Sequence, residues 1–171
     1  PPALPPFDPT QLDPTSLTFK TLTGPTSSAE LSWTERWRRA DIGAANGHGN
    51  ARSVARIQSA LACGGEVDGV RLLAPKTINR IFEVQSNSID LVLGIPLKIG
   101  VGYGLPWPQV MPFVPQGRQC FGAGAGGSIV IADADRRMTI AYVMNKFGQD
   151  VMIVGPIAAA LVERVYSIVN R

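Results

Sequence analysis

Cys120 to Lys146 reads CFGAGAGGSIVIADADRRMTIAYVMNK. A glycine-rich loop opens it, and Ser128 to Asp133 follow as a β-like run of apolar and β-branched residues. The polar turn Ala134-Asp135-Arg136-Arg137 leads to a second run, Met138 to Asn145. Two such runs across a short polar turn read as a buried β-hairpin. Glycines just ahead of a hairpin let another backbone or a ligand come close, because no Cβ stands in the way. This is where chemistry is expected in the chain.

One motif in this stretch misleads. Gly122, Gly124 and Gly127 satisfy G-x-G-x-x-G, the dinucleotide-binding pattern. That pattern works only when a strand precedes it and a helix follows, so that the helix N-terminus faces a pyrophosphate. Here Ser128-Ile129-Val130-Ile131 follows, and Pro112 and Pro115 interrupt the approach. The flanks are wrong for a dinucleotide site.

The same residues resemble the last conserved box of serine enzymes of the β-lactamase fold, in particular carboxylesterases of the family VIII type. In that family Lys-Thr-Gly, His-x-Gly or Trp-x-Gly precedes Gly-Gly-Ser and a final strand pair. Gly122-Ala123-Gly124 stands where the box belongs, followed by Ala125-Gly126-Gly127-Ser128 and the run ending Tyr142-Val143-Met144-Asn145. A second segment is similar as well: Trp37-Arg38-Arg39-Ala40-Asp41-Ile42, then Ala45-Asn46-Gly47-His48-Gly49-Asn50-Ala51-Arg52. It resembles the loop and helix start found between the middle and last boxes. The resemblance covers most of the chain from Trp33 onward.

The resemblance implies an α+β fold, the C-terminal part of a β-lactamase or transpeptidase-like domain, with antiparallel strands and packed helices. It implies hydrolysis of small esters through an acyl-enzyme, with no cofactor and no metal. The backbone N–H of Ala125, just after the box, is the implied oxyanion donor. Gly122, Ala123 and Gly124 are the implied substrate-binding edge. Asn46 and His48 belong to a loop that borders the cleft in the family; an imidazole there can bind substrate or simply bond nearby backbone. Glycine at position 122 departs from the family, where Lys, His or Trp touches the acyl group. That departure favours a neutral ester over a carboxylate-bearing lactam.

Two family boxes are absent. The nucleophile box is Ser-x-x-Lys, in which lysine eases deprotonation of the serine. The chain has Lys20, Lys76, Lys98 and Lys146, and three residues before them stand Leu17, Leu73, Ile95 and Val143. The Tyr-x-Asn/Ser box fails too, because Leu105, Met144 and Ile168 stand two residues after Tyr103, Tyr142 and Tyr166. No G-x-S-x-G elbow exists for a Ser-His-Asp triad. Both missing boxes lie in the N-terminal half of the family's enzymes, so the expected partner is an N-terminal half carrying the nucleophile, as a separate chain or in a longer precursor. The alternative is a catalytically inactive remnant or binding module. A third idea, Pro1 acting as a base as in small tautomerases, is disfavoured because Pro2 follows it in a proline-rich arm.

Composition bounds the rest. With 171 residues, 45% hydrophobic and 17% charged, the chain can bury one core. Its net charge of +3 is scattered, and the densest group, Arg36, Arg38, Arg39, Arg52 and Arg56, is diluted by Glu35 and Asp41. No aromatic series interleaves it, which disfavours nucleic acid. Cys63 and Cys120 show no metal or disulfide framework, and one histidine cannot build a ligand cluster. The apolar run Val151 to Val162 is far short of the ~20 residues that span a bilayer. PPALPPFDPT lacks the basic start and apolar core of a signal peptide, so a cytoplasmic location is the expectation.

Residues 1–32 are rich in Pro, Thr and Ser and read as a linker or surface arm, with the domain proper at 33–171. Asn50 is placed to cap a helix through about Ala62, with Val54, Ile57 and Leu61 inward and Gly64-Gly65 ending it. Val67 to Leu73 reads as a short hairpin. Pro75 suits the first turn of a helix carrying Ile78, Ile81 and Phe82. Residues 86–117 hold short β-like runs, Lys98 to Gly104 among them. A C-terminal helix begins near Pro156, with Ile157, Leu161, Val165 and Ile168 predicted inward.

Overall fold

The computed structural model describes residues 8–24, 28–43, 45–148 and 153–170. Within the stretch read as an arm, short 3₁₀ turns occupy Pro9–Gln11 and Ala29–Trp33, and helix α1 spans Leu17–Thr23. Ser16 caps α1 by accepting from the Phe19 N–H, and Thr18 Oγ1 donates to the Val92 carbonyl at 2.6 Å. Pro1 lies outside the described residues, as do the first residues of the apolar run from Val151. Helix α2, Glu35–Arg39, is a single exposed turn carrying an Arg39–Glu35 ion pair of 2.7 Å. Among the described residues no helix is long and apolar enough to cross a membrane.

Helix α3, Ala51–Ala62, begins as its cap dictates: Asn50 Oδ1 accepts from the Ser53 N–H at 3.0 Å, satisfying one of the free donors of the first turn. It ends where Gly64 and Gly65 take positive φ, and the Gly65 N–H reaches back to the Ala60 carbonyl at 2.7 Å. Strands β1, Glu66–Val67, and β2, Val70–Arg71, form a small hairpin. Asp68 and Gly69 both have positive φ, as a tight two-residue hairpin turn requires. Helix α4, Pro75–Ile81, starts on its proline and buries Ile78 and Ile81.

The main sheet is antiparallel. β5, Gln119–Ala123, pairs with β6, Ile129–Asp133, which pairs with β7, Met138–Tyr142. A hairpin of β3, Ser86–Ile89, and β4, Pro96–Ile99, joins this sheet through Gly104, which bridges Ile99 on one side and Phe121 on the other. Gly104 and Phe121 exchange both backbone bonds, at 2.8 and 2.9 Å. The Phe121 ring lies where a Cβ on Gly104 would stand, so glycine is required there. The α+β architecture expected from sequence is therefore present, and β7 closes earlier than Asn145. Beyond Tyr142 the chain leaves the ladder and crosses the glycine loop, where the Gly148 N–H donates to Gly126 O at 2.9 Å.

Alternation along the strands divides the core in two. Phe121, Ile129 and Ile131 face Met111, Val114 and helix α5, Pro156–Val169. Cys120 and Ala132 face Leu61 and Ala62 of α3 and Ile78 and Ile81 of α4. Burying a side chain such as Ile131 stabilises by about 1.5–3 kcal/mol.

Two predicted faces differ from those observed. On α5 the buried positions are Ala158, Val162 and Tyr166, while Ile157, Leu161 and Ile168 are 64%, 48% and 54% exposed. The inward stripe is turned by one residue, about 100° of helix. Ala158 lets the helix approach closely, and the Tyr166 hydroxyl has a buried acceptor in Asp133, so a polar-tipped residue wins the inner face. On α3, Ile57 points outward at 62% exposure, whereas Ala60, Leu61 and Ala62 are buried.

Candidate functional site

The glycine-rich segment caps the open end of β5. Gly122 is half-buried on the strand, and Ala123, Gly124 and Ala125 are exposed at its tip. Gly124 still donates to Ser128 O at 2.9 Å, and Gly127 donates to Gly124 O at 3.1 Å, so residues 124–128 form a closed turn. Gly126 and Gly127 have φ of 84° and 110°, a region closed to most residues with a Cβ. The Phe147 ring lies directly over Gly126, in the place a Cβ would occupy. Among the described residues none accepts from the Ala125 N–H.

The outer edge of β5 is partly free. Phe121 turns its N–H and C=O to Gly104, and in an antiparallel strand the residue two further on presents its groups to the same side. Ala123 therefore turns a donor and an acceptor to that side, beyond the point where Gly104 stops pairing, and among the described residues no backbone group pairs with them. Beside it lies a hollow of about 340 Å³ lined by Leu93, Leu97, Ile99, Gly102, Tyr103, Gly104, Phe121, Gly122, Ala123 and Ile153. Tyr103 does not place its hydroxyl free in this space, because that group donates to Gln58 Oε1 of α3 at 2.9 Å.

Asn46 and His48 do not line this hollow. The two His48 ring nitrogens lie 3.1 Å from the Asn46 carbonyl and 3.3 Å from the Ser32 carbonyl. Asn46 Oδ1 is buried without a partner among the described residues. The structure brings Gly122, Ala123, Gly124 and Ala125 together and sets the Asn46–His48 loop apart from that hollow. Sequence reading missed Leu93, Leu97, Ile99 and Ile153. The one signal for them was Gly100-Val101-Gly102-Tyr103-Gly104, whose glycines mark close backbone approaches: a Cβ on Gly100 would strike the Ile81 carbonyl.

Both cysteines are free. Burial pushes the Cys120 thiol from its ordinary 9.0 up to about 12, opposed by a weaker bond with the Ala132 backbone. It is a core thiol and no nucleophile. Among the described residues no group of three or more His, Cys, Asp or Glu is placed to hold a metal ion.

No protein-family model matches the chain. The esterase/β-lactamase LipL of Mycobacterium tuberculosis is 37% identical over 110 residues, which are 63% of this chain and 24% of LipL. A penicillin-binding protein homologue from Caulobacter crescentus superposes with a TM-score of 0.77 at 34% identity, over 98% of this chain and 43% of the other. The crystal structure of a family VIII carboxylesterase gives a TM-score of 0.77 at 29% identity, over 84% of this chain and 38% of the other. The chain thus spans about a quarter of that curated relative and about two fifths of these solved chains. It is a partial match to family VIII carboxylesterases of the β-lactamase and penicillin-binding-protein fold, and its α+β fold aligns with part of that fold.

Proposed function

We propose that this chain supplies the last active-site strand of a serine carboxylesterase and works with an N-terminal half that carries Ser-x-x-Lys. The observation that carries this is the tip of β5: a glycine-bounded turn whose Ala125 N–H has no acceptor among the described residues, beside an apolar hollow, at residues that resemble the family's last box. The partial coverage of esterase relatives supports it.

In this reading the partner's serine attacks the ester carbonyl while its lysine takes the hydroxyl proton. The carbonyl oxygen gains charge, and two N–H groups receive it: the serine's own and that of Ala125. The ester C–O bond then breaks, the alcohol leaves with a proton, and water hydrolyses the acyl-enzyme by the same route. A backbone donor of this kind is typically worth about 10²–10³ in rate. Gly122 adds no side chain, so the site makes no charged contact at that position and suits a neutral ester.

The second reading, an inactive remnant or binding module, is favoured by Gly122, which brings no side chain to the position where the family has Lys, His or Trp. Assay of the purified chain on a short-chain aryl ester separates them. The chain alone should not exceed a heat-treated control. Turnover should appear with a nucleophile-bearing partner, and a serine-directed phosphonate should label that partner. Robust turnover and phosphonate labelling of the lone 171-residue chain would overturn the proposal; a co-purifying complex with no turnover would favour the binding module.

A further inference from the structure

We infer that a second hollow, between the end of α3, the β1–β2 hairpin and the β6–β7 turn, binds a small polar zwitterion: an amino acid held by both its carboxylate and its ammonium. This hollow shares no lining residue with the one at the tip of β5, and the inference does not depend on the esterase reading. Its volume is about 490 Å³, within the roughly 300–1,000 Å³ of small-molecule sites. Ser59, Cys63, Glu66, Asp68, Arg71 and Arg137 line it, and Val67 is its one apolar lining residue. Such a lining suits a charged, hydrogen-bonding molecule and not an apolar one.

Arg137 is what points to a ligand. Among the described residues, Asp68 and Arg137 are the two non-glycine residues with positive φ, 50° and 51°, and both line this hollow. Aspartate tolerates that region, and an Asp-Gly pair is an ordinary hairpin turn. Arginine gains nothing there: its Cβ crowds the following carbonyl, and Gly or Asn would make the same turn with less strain. Backbone strain of this kind gathers at ligand clamps. The fold does not use the side chain either, since the Arg137 guanidinium has no hydrogen bond or ion pair among the described residues.

The other charges are already matched. Arg71 donates to Glu66 Oε2 at 2.8 Å and to the Gly64 and Leu73 carbonyls at 3.2 and 3.3 Å, and Arg56 pairs with Asp68 Oδ2. Each acid uses one oxygen in its pair, which leaves Glu66 Oε1 and Asp68 Oδ1 as acceptors on the hairpin. A simple anion would satisfy Arg137 but meet two carboxylates, and a simple cation would leave Arg137 unmatched. An amino acid answers both: its carboxylate takes the Arg137 fork, and its ammonium donates to the spare oxygens of the hairpin.

Binding is read on the chain itself by amide-resolved NMR, with L-glutamine as the probe. Glutaramate is the same acid without its amino group, and L-glutaminamide is the same amine without its carboxylate. Glutamine should shift the Cys63, Val67, Arg71 and Arg137 amides saturably and slow alkylation of the half-buried Cys63 thiol by N-ethylmaleimide. Each analogue should bind at least about tenfold more weakly, because it leaves a polar group of the site unpaired. Arg137→Gly should lose at least about tenfold in glutamine affinity, while its melting temperature stays level or rises, since glycine takes the turn without strain. Asp68→Asn, which also tolerates positive φ, should weaken glutamine and spare glutaramate. Shifts centred elsewhere, either analogue binding as well as glutamine, or unchanged binding in Arg137→Gly would overturn the site. A lowered melting temperature in both Arg137→Gly and Arg137→Asn would do so too, because the arginine would then serve the fold. If a nucleophile-bearing half shields Cys63 with no zwitterion present, the hollow is an interface between halves and the site is refuted. No ester is turned over in these measurements, so their outcome and that of the esterase assay are read separately.

Discussion

The Tyr166 hydroxyl donates to Asp133 Oδ2 at 3.1 Å, closing the last turns of α5 onto the β6–β7 turn. Both residues are buried. Asp133 also accepts from Gln119 Nε2, the Arg136 N–H and Arg136 Nη1, at 3.1, 2.9 and 3.1 Å. Tyr166→Phe removes one donor from a buried carboxylate that keeps its others, so unfolding free energy should fall by about 1.5–3 kcal/mol. Denaturant titration with unchanged m-value tests this, and an unaltered midpoint would show the bond to be idle.

Alkaline pH should loosen the same core. Burial raises the Cys120 thiol from 9.0 to about 12, and burial with the nearby Asp133 charge raises the Tyr166 hydroxyl as well. Both groups are neutral when protonated, so the unfolded chain loses their protons first. Their contribution is intact below about pH 9 and declines as pH climbs toward 12. Cys120→Ala should flatten part of that decline in a melting-temperature series from pH 8 to 11. In the native protein a thiol reagent should modify half-buried Cys63 and spare Cys120.

Within a reconstituted enzyme, Ala125→Pro deletes the proposed oxyanion donor. Its kcat should fall by about 10²–10³, or about 2.7–4 kcal/mol, with KM little changed. Ala125→Ser keeps the N–H and should be nearly neutral. Circular dichroism must first show the proline variant folded; equal losses in both variants would remove the assignment.

Gly126→Ala should be costly for two separable reasons, its φ of 84° and the Phe147 ring over it. Strain at such a position is of order 1–3 kcal/mol. In Gly126→Ala/Phe147→Ala the steric part is relieved, so the double variant should lose less stability than the two single losses summed. Strict additivity would mean the ring and the turn are independent.

Ile157, Leu161 and Ile168 leave an apolar stripe on the outside of α5. Such stripes mark interfaces or association. The chain alone should self-associate at high concentration, and Leu161→Lys should shift sedimentation toward monomer. A monomer throughout, with no binding of an apolar dye, would describe a self-sufficient domain.

The hairpin, the Asn50 cap and the proline-started helices were legible because each rests on a few adjacent residues. The face of α5 was not, since Val162 and Leu161 are equally apolar and only the distant acceptor Asp133 selects Tyr166 for the interior. The end of β7 depended on Phe147 and Gly148 meeting Gly126. The hollow escaped for a similar reason: Leu93 and Leu97 reach Ala123 only through the pairing of Gly104 with Phe121. Local chemistry writes elements, whereas this cleft is a product of long-range pairing.

Gly104 carries the β3–β4 hairpin on the sheet as a single coupling between two ladders. The hairpin's tip, 90–95, contributes Leu93 to the hollow; it is held by the Val92 and Leu93 N–H groups, both donating to Asp90 Oδ1, and by Thr18 of α1, which donates to the Val92 carbonyl. That arrangement makes it a cassette. A tip of different length or bulk there would leave the ladders of β5 with β6 and β6 with β7 in register, because neither pairing runs through it.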